Sequence, residues 1–65
     1  MNKDYLNYVL SRYGITKQQL MDQNTWSKST YYRKMSGEVD WTIGEVNGLI
    51  ELGVDIAEII DIFFS

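Results

Sequence analysis

The chain contains no cysteine, no histidine and no proline. Lack of cysteine excludes a disulfide frame and a thiolate metal centre. Lack of histidine removes the commonest general base and the commonest metal ligand together. With no proline, no helix is interrupted by a missing N–H. Long apolar runs are also absent. The densest cluster, Ile59 to Phe64, carries Asp61 and falls far short of the ~20 residues that a membrane-spanning helix needs. No basic segment followed by an apolar stretch opens the sequence, so no signal peptide is read there and a soluble, cytoplasmic protein is expected. What is present is 65 residues, 45% of them hydrophobic. That suffices for one small core and one domain, but not for a deep cleft.

The net charge of −3 conceals a division. Positions 1–37 hold all six basic residues, Lys3, Arg12, Lys17, Lys28, Arg33 and Lys34, against Asp4 and Asp22 alone. Positions 38–65 hold seven acids and no base. An ordinary solvated surface can carry such unevenness, but the split is also what a chain shows when one end faces an anionic partner.

Four segments repeat one start pattern. They are Ile15-Thr16 with Gln19-Leu20, Trp26-Ser27 with Thr30-Tyr31, Trp41-Thr42 with Glu45-Val46, and Val54-Asp55 with Glu58-Ile59. In each, a capping side chain can accept from an orphan N–H of the first turn. A polar partner three residues on can reach back, and the flanking apolar pair forms a staple. Gly14, Gly37 and Gly53 follow helical stretches where a left-handed residue ends the helix. Tyr5, Leu6, Val9, Leu10 and Tyr13 recur at helical spacing. The reading is an all-α, compact five-helix domain spanning 1–65, with helices at about Lys3–Tyr13, Lys17–Asn24, Lys28–Ser36, Ile43–Leu52 and from Ile56 to near the end, and a helix-turn-helix at about 16–36.

The third helix is the most distinctive. It holds three of the six bases, Lys28, Arg33 and Lys34. At about 100° per residue, Tyr31 and Met35 point inward while Ser29 and Arg33 point out, flanked by Tyr32 and Lys34. A short, exposed, basic helix suits the DNA major groove. There Arg33 can donate two hydrogen bonds to guanine O6 and N7. Lys28 can reach a guanine or a phosphate, and Ser29 and Tyr32 can donate or accept. Lys17, in the first turn of the preceding helix, falls over the phosphate backbone. The alternative is a solvated polar face of a bundle helix, which does not account for the clustering of bases.

Other side chains have plainer readings. Trp26 and Trp41 are staple and core residues. Tyr8 and Tyr32 are expected at the surface. The last helix places Ile56, Ile59, Ile60 and Phe63 toward the core, leaving Ile62 and Phe64 either to fold back or to form a dimer surface. Neither Glu38 with Asp40 nor Asp55 with Glu58 forms an acid pair set up for catalysis. The first lacks the ligands and glycine of a calcium loop, and the second is explained by capping. There is no phosphate-binding glycine loop and no nucleophile beside a base. No enzyme activity, cofactor, metal or small-molecule substrate is expected.

Ile15-Thr-Lys-Gln-Gln-Leu20 followed by Trp26-Ser-Lys-Ser-Thr-Tyr-Tyr-Arg-Lys-Met-Ser-Gly37 resembles the helix-turn-helix of lambda-repressor-like and Cro-like phage regulators. Trp41-Thr-Ile-Gly-Glu-Val46, Leu52-Gly-Val54 and Asp61-Ile-Phe-Phe64 are similar to the tail of small Cro-type regulators from phages of Gram-positive hosts. The resemblance covers nearly the whole chain. It implies a sequence-specific transcriptional regulator that binds a pseudo-palindromic double-stranded operator as a homodimer in the bacterial cytoplasm. It implies that Lys28, Ser29, Tyr32 and Arg33 face bases, and that Lys17, Gln18, Thr30 and Lys34 lie near phosphates or the groove edge. The sequence departs from that family at Met21, where a small residue is common, and at Thr25, where glycine is common. If Asn24 takes the left-handed conformation instead, the turn shifts. Glu38 and Asp40 replace the family's bases after the third helix, and the fourth helix is about one residue short before Gly53. The acidic second half keeps an alternative open: a protein-binding helix-turn-helix, acting as an antirepressor or a small phage inhibitor of a host protein.

Overall fold

The structure is a computed structural model and describes residues 1–64. Five helices account for it: α1 (Lys3–Arg12), α2 (Lys17–Asn24), α3 (Lys28–Ser36), α4 (Ile43–Glu51) and α5 (Ile56–Phe63). No strand occurs among the described residues. Each helix starts where a short polar side chain in extended conformation accepts a backbone N–H: Asn2, Thr16, Ser27, Thr42 and Asp55. The reciprocal box closes at Thr16 with Gln19 and at Thr42 with Glu45. It does not close at Asp55. Glu58 turns away from that cap and accepts instead from the Tyr13 hydroxyl (2.7 Å) and Arg12 (3.4 Å). Thus α5 is pinned to the end of α1. A backbone bond from Asn2 N–H to the Ile62 carbonyl (2.8 Å) ties the other end of the same pair.

Gly37 (φ +83°) ends α3 in the left-handed region, where a side chain is strained. The turn between α2 and α3 reaches that region with Thr25 (φ +56°), the one non-glycine residue of positive φ among those described. Asn24, the alternative for this conformation, does not take it, so the turn is not shifted. It remains helical because its amide donates to the Leu20 carbonyl (2.9 Å). A β-branched residue pays about 1–2 kcal/mol for the left-handed conformation.

Helices α1, α2, α4 and α5 enclose a core of Leu6, Val9, Leu10, Ile15, Leu20, Trp26, Val46, Leu49, Val54, Ile59 and Ile62. α3 contributes none of these. Its one buried residue is Lys34, at 7% exposure, with Tyr31 and Met35 partly buried beside it. The expectation that Lys34 lies near phosphates is therefore overturned, because the ammonium points into the domain. It donates to Glu45 Oε1 (2.7 Å) and to the Asp40 carbonyl (2.8 Å). Glu45 also accepts from Trp26 Nε1–H (2.7 Å) and from its own cap, Thr42 N–H (2.8 Å). Trp41 Nε1–H donates to the Lys34 carbonyl (2.9 Å). The two indoles meet edge to face at 5.1 Å, and Trp41 continues onto Phe63 at 5.2 Å.

The last helix also differs from its expected phase. Ile59 and Ile62 are buried, while Ile56, Ile60 and Phe64 are exposed. Ile62 is fully enclosed and is corrected from a dimer-surface residue to a core residue. Either apolar stripe of this helix fits an inward face by periodicity alone. The Val54–Ile59 staple and the Asn2 bond to Ile62 select the one that does.

Three outcomes are expected in urea unfolding. Lys34→Met leaves a buried carboxylate without its cation and costs about 3 kcal/mol, whereas Lys34→Met with Glu45→Gln costs less, because glutamine keeps an acceptor for Trp26 and carries no charge. Burial pushes the Glu45 carboxyl up, but the bonds from Lys34, Thr42 and Trp26 outweigh it and hold the group below its ordinary value. Its stabilisation is present above the unfolded-state pKa and is lost as pH falls through the folded one. Glu45→Gln should remove that share of the acid sensitivity, and an unaltered acid limb would contradict the assignment. Thr25→Gly should raise the unfolding free energy by up to about 1 kcal/mol; a lower value would show that Thr25 is not strained.

Candidate nucleic-acid interface

With Lys34 drawn inward, the outer surface of α3 is Lys28, Ser29, Tyr32, Arg33 and Ser36, all exposed. Ser27 caps this helix through a bond from Thr30 N–H (3.2 Å), and its own hydroxyl donates to Thr30 Oγ1 (3.0 Å). Thr30 is therefore half-buried and engaged with the cap. It sits at the margin of the outer face.

α2 supplies Lys17 from its first turn. Its ammonium donates to the Tyr32 hydroxyl oxygen (2.8 Å) and lies 4.6 Å from the Tyr32 ring centre and 5.5 Å from that of Tyr31. The two tyrosines meet edge to face at 5.3 Å. This bond joins α2 to α3 across the outer surface. The hydrogen bond from Lys17 lowers the Tyr32 phenol below its ordinary pKa. Because the oxygen accepts from Lys17, the phenolic hydrogen remains available to donate, as do two further ammonium hydrogens. Lys17 and Tyr32 thus offer adjacent donors suited to one anionic oxygen.

Four of the eight expected positions, Lys28, Ser29, Tyr32 and Arg33, share one face, and Lys17 joins them through Tyr32. Gln18 is exposed in the same first turn as Lys17, but its amide donates to Asp22 (2.7 Å), which sets a carboxylate beside it. Thr30 stands at the margin and Lys34 is excluded. Among the described residues, neither Lys28 nor Arg33 forms an ion pair, whereas Arg12 and Lys34 do. The cations left unneutralised on α3 are therefore the ones on its outer face.

Sequence reasoning missed the Lys17–Tyr32 bond, which links residues fifteen positions apart on two helices. For Lys34 a signal existed. It lies about 60° from Tyr31 on a helical projection, closer to the inward face than to Arg33. The cap glutamate Glu45 had a second oxygen with no local use. No family model matches this chain, and neither a curated protein nor a solved structure shows significant similarity to it.

Proposed function

We propose that the chain is a sequence-specific double-stranded DNA-binding regulator that uses α2 and α3 as a helix-turn-helix, with α3 in the major groove. One observation carries this reading. α3 turns Lys34, Tyr31 and Met35 inward and Lys28, Ser29, Tyr32 and Arg33 outward as one polar, basic face, with Lys17 tied to it. In the proposed complex Arg33 reads a guanine edge, and Lys28 and Ser29 contact bases at the N-terminal end of α3. Lys17 and Tyr32 together hold a phosphate at the rim. This replaces the base contact expected of Tyr32. Gln18 and Thr30 flank the backbone.

The sequence resemblance extends the proposal to a Cro-like phage repressor, which occupies a pseudo-palindromic operator as a homodimer in the host cytoplasm. Each half-site then receives one α3. Glu38 and Asp40 lie just beyond the end of α3 and oppose phosphate contact there, so the contact is confined to its N-terminal turns and α2.

Fluorescence titration with duplex DNA tests the reading. Affinity should fall with salt, with a slope near −0.9 per phosphate neutralised. Arg33→Ala should cost about 1–3 kcal/mol and relax preference at one base pair per half-site. Unchanged affinity in Arg33→Ala would remove α3 from the groove. Absence of binding to any duplex at low salt would overturn the proposal in favour of a protein partner.

A further inference from the structure

On a different part of the molecule, α4, α5 and the α3–α4 connection leave an open groove of about 790 Å³. Val39, Ile43, Ile50, Ile56, Ile60 and Phe64 line it, each between 38% and 78% exposed. None of them belongs to the buried core. Apolar side chains gathered in one concave place mark a binding surface, whereas the same groups scattered singly would need no explanation.

Charge narrows the occupant. Positions 38–65 contain no base, and five of their seven acids are exposed: Glu38, Asp40, Glu51, Asp55 and Asp61. Asp40 lines the groove itself. Each of the others is the chain neighbour of a lining residue. Glu38 lies between Gly37 and Val39, Glu51 follows Ile50, Asp55 precedes Ile56 and Asp61 follows Ile60. Neighbouring Cα atoms are about 3.8 Å apart, well inside the ~8 Å over which physiological salt screens a charge. Glu51 accepts from Gln23 and Asp55 from Ala57 N–H, both neutral donors, so these hydrogen bonds leave the two charges in place. Against the acids, the lining holds one lysine, Lys3, beside the amino end at Met1. The ammonium of Lys34 is paired with Glu45. The groove is an apolar floor in a mostly acidic surround.

That surround repels phosphate, whether of DNA or of an anionic membrane, and two copies pressed groove to groove would set it against itself. It attracts cations carried next to apolar groups. No strand occurs among the described residues, so no sheet edge is offered to an extended peptide. A trough between two helices instead takes a third helix, through side chains at i, i+3 or i+4, and i+7. We infer that this groove is the docking site for a basic amphipathic helix of another protein. Its apolar stripe rests on Ile43, Ile50, Ile56 and Ile60, and its lysines or arginines face Glu38, Asp40 and Glu51. Docking there requires nothing of the operator reading. Lys17, Lys28, Ser29, Tyr32 and Arg33 lie outside the groove lining, so one chain can hold DNA and this partner together.

Trp41 also lines the groove and reports its occupancy by fluorescence. The probe is a synthetic helical peptide with leucine on one face and lysine on the other, and the control carries glutamate in place of lysine. The lysine peptide should bind the full chain and shift the Trp41 emission, more weakly as salt rises; the glutamate peptide should not bind. Ile43→Asp and Ile60→Asp should each lower affinity by about tenfold or more. Both side chains face outward, so the helical circular dichroism should stay intact. These two variants separate docking from plain charge attraction, because each adds an acid and a peptide held by charge alone would bind them more tightly. Glu38→Gln combined with Asp40→Asn should weaken binding, while Asp22→Asn on α2 should not. No binding of the lysine peptide at low salt overturns the inference. So does binding that survives both isoleucine substitutions, or binding that the Glu38 and Asp40 changes leave as it was. Sedimentation that shows two copies of the free chain joined through these isoleucines also overturns it, since a second copy then fills the groove. No DNA enters the titration, so its failure leaves the α3 reading intact, and failure to bind duplex leaves the groove intact.

Discussion

The contact between Lys34 and Glu45 is the constraint on which the rest of this domain depends. α3 has no fully buried apolar residue and cannot dock by hydrophobic burial alone. It docks through the partly buried Tyr31 and Met35 together with a lysine whose ammonium ends on a carboxylate. That carboxylate also serves as the box partner of α4 and the acceptor for Trp26. One side chain thereby fixes the start of α4, the entry to α3 and the α3–α4 connection. Desolvating both charges is costly, and the arrangement survives because the ammonium and both carboxylate oxygens find close partners. The indole pair closes over it and adds about 0.5–1.5 kcal/mol beyond its buried area.

The consequence for function is a division of charge. The lysine that serves the fold is withdrawn from the surface, and the cations that serve no internal partner, Lys28 and Arg33, remain on the outer face of α3. Lys17 is intermediate, held by a phenol that leaves donors open outward. The acids divide in the same way. Two of the seven in the second half, Glu45 and Glu58, are paired with cations, and the other five stay exposed, so the acidity of that half remains largely a surface property.

Much of the fold was legible in the sequence because its signals are local. Caps, staples and terminal glycines each concern residues within five positions of one another, and the five helices fall within a residue of their expected bounds. What was not legible was rotation and reach. The last helix is apolar on two adjacent stripes, so periodicity could not say whether Ile62 or Ile60 is inside. That depends on Asn2 at the far end of the chain. Lys34 was placed on a flank and, by the family resemblance, near phosphates, although its angular position lay nearer Tyr31 than Arg33. Whether Thr25 or Asn24 takes the left-handed conformation was left open by intrinsic preference, and it is Thr25 because the Asn24 amide is used within α2. At the candidate site, the positions on α3 were legible from their phase. The Lys17–Tyr32 bond was not, because it depends on how two helices cross.

The central claim is that the outer face of α3, with Lys17, meets nucleic acid while the α4–α5 groove does not. Titrating isotopically labelled protein with a random-sequence duplex at low salt, and following each backbone amide by NMR, tests it most directly. The account predicts shifts concentrated at Lys17 and from Lys28 to Arg33, with Ile43, Ile50, Ile56 and Ile60 unmoved. Shifts confined to the groove, or none at all, would contradict it.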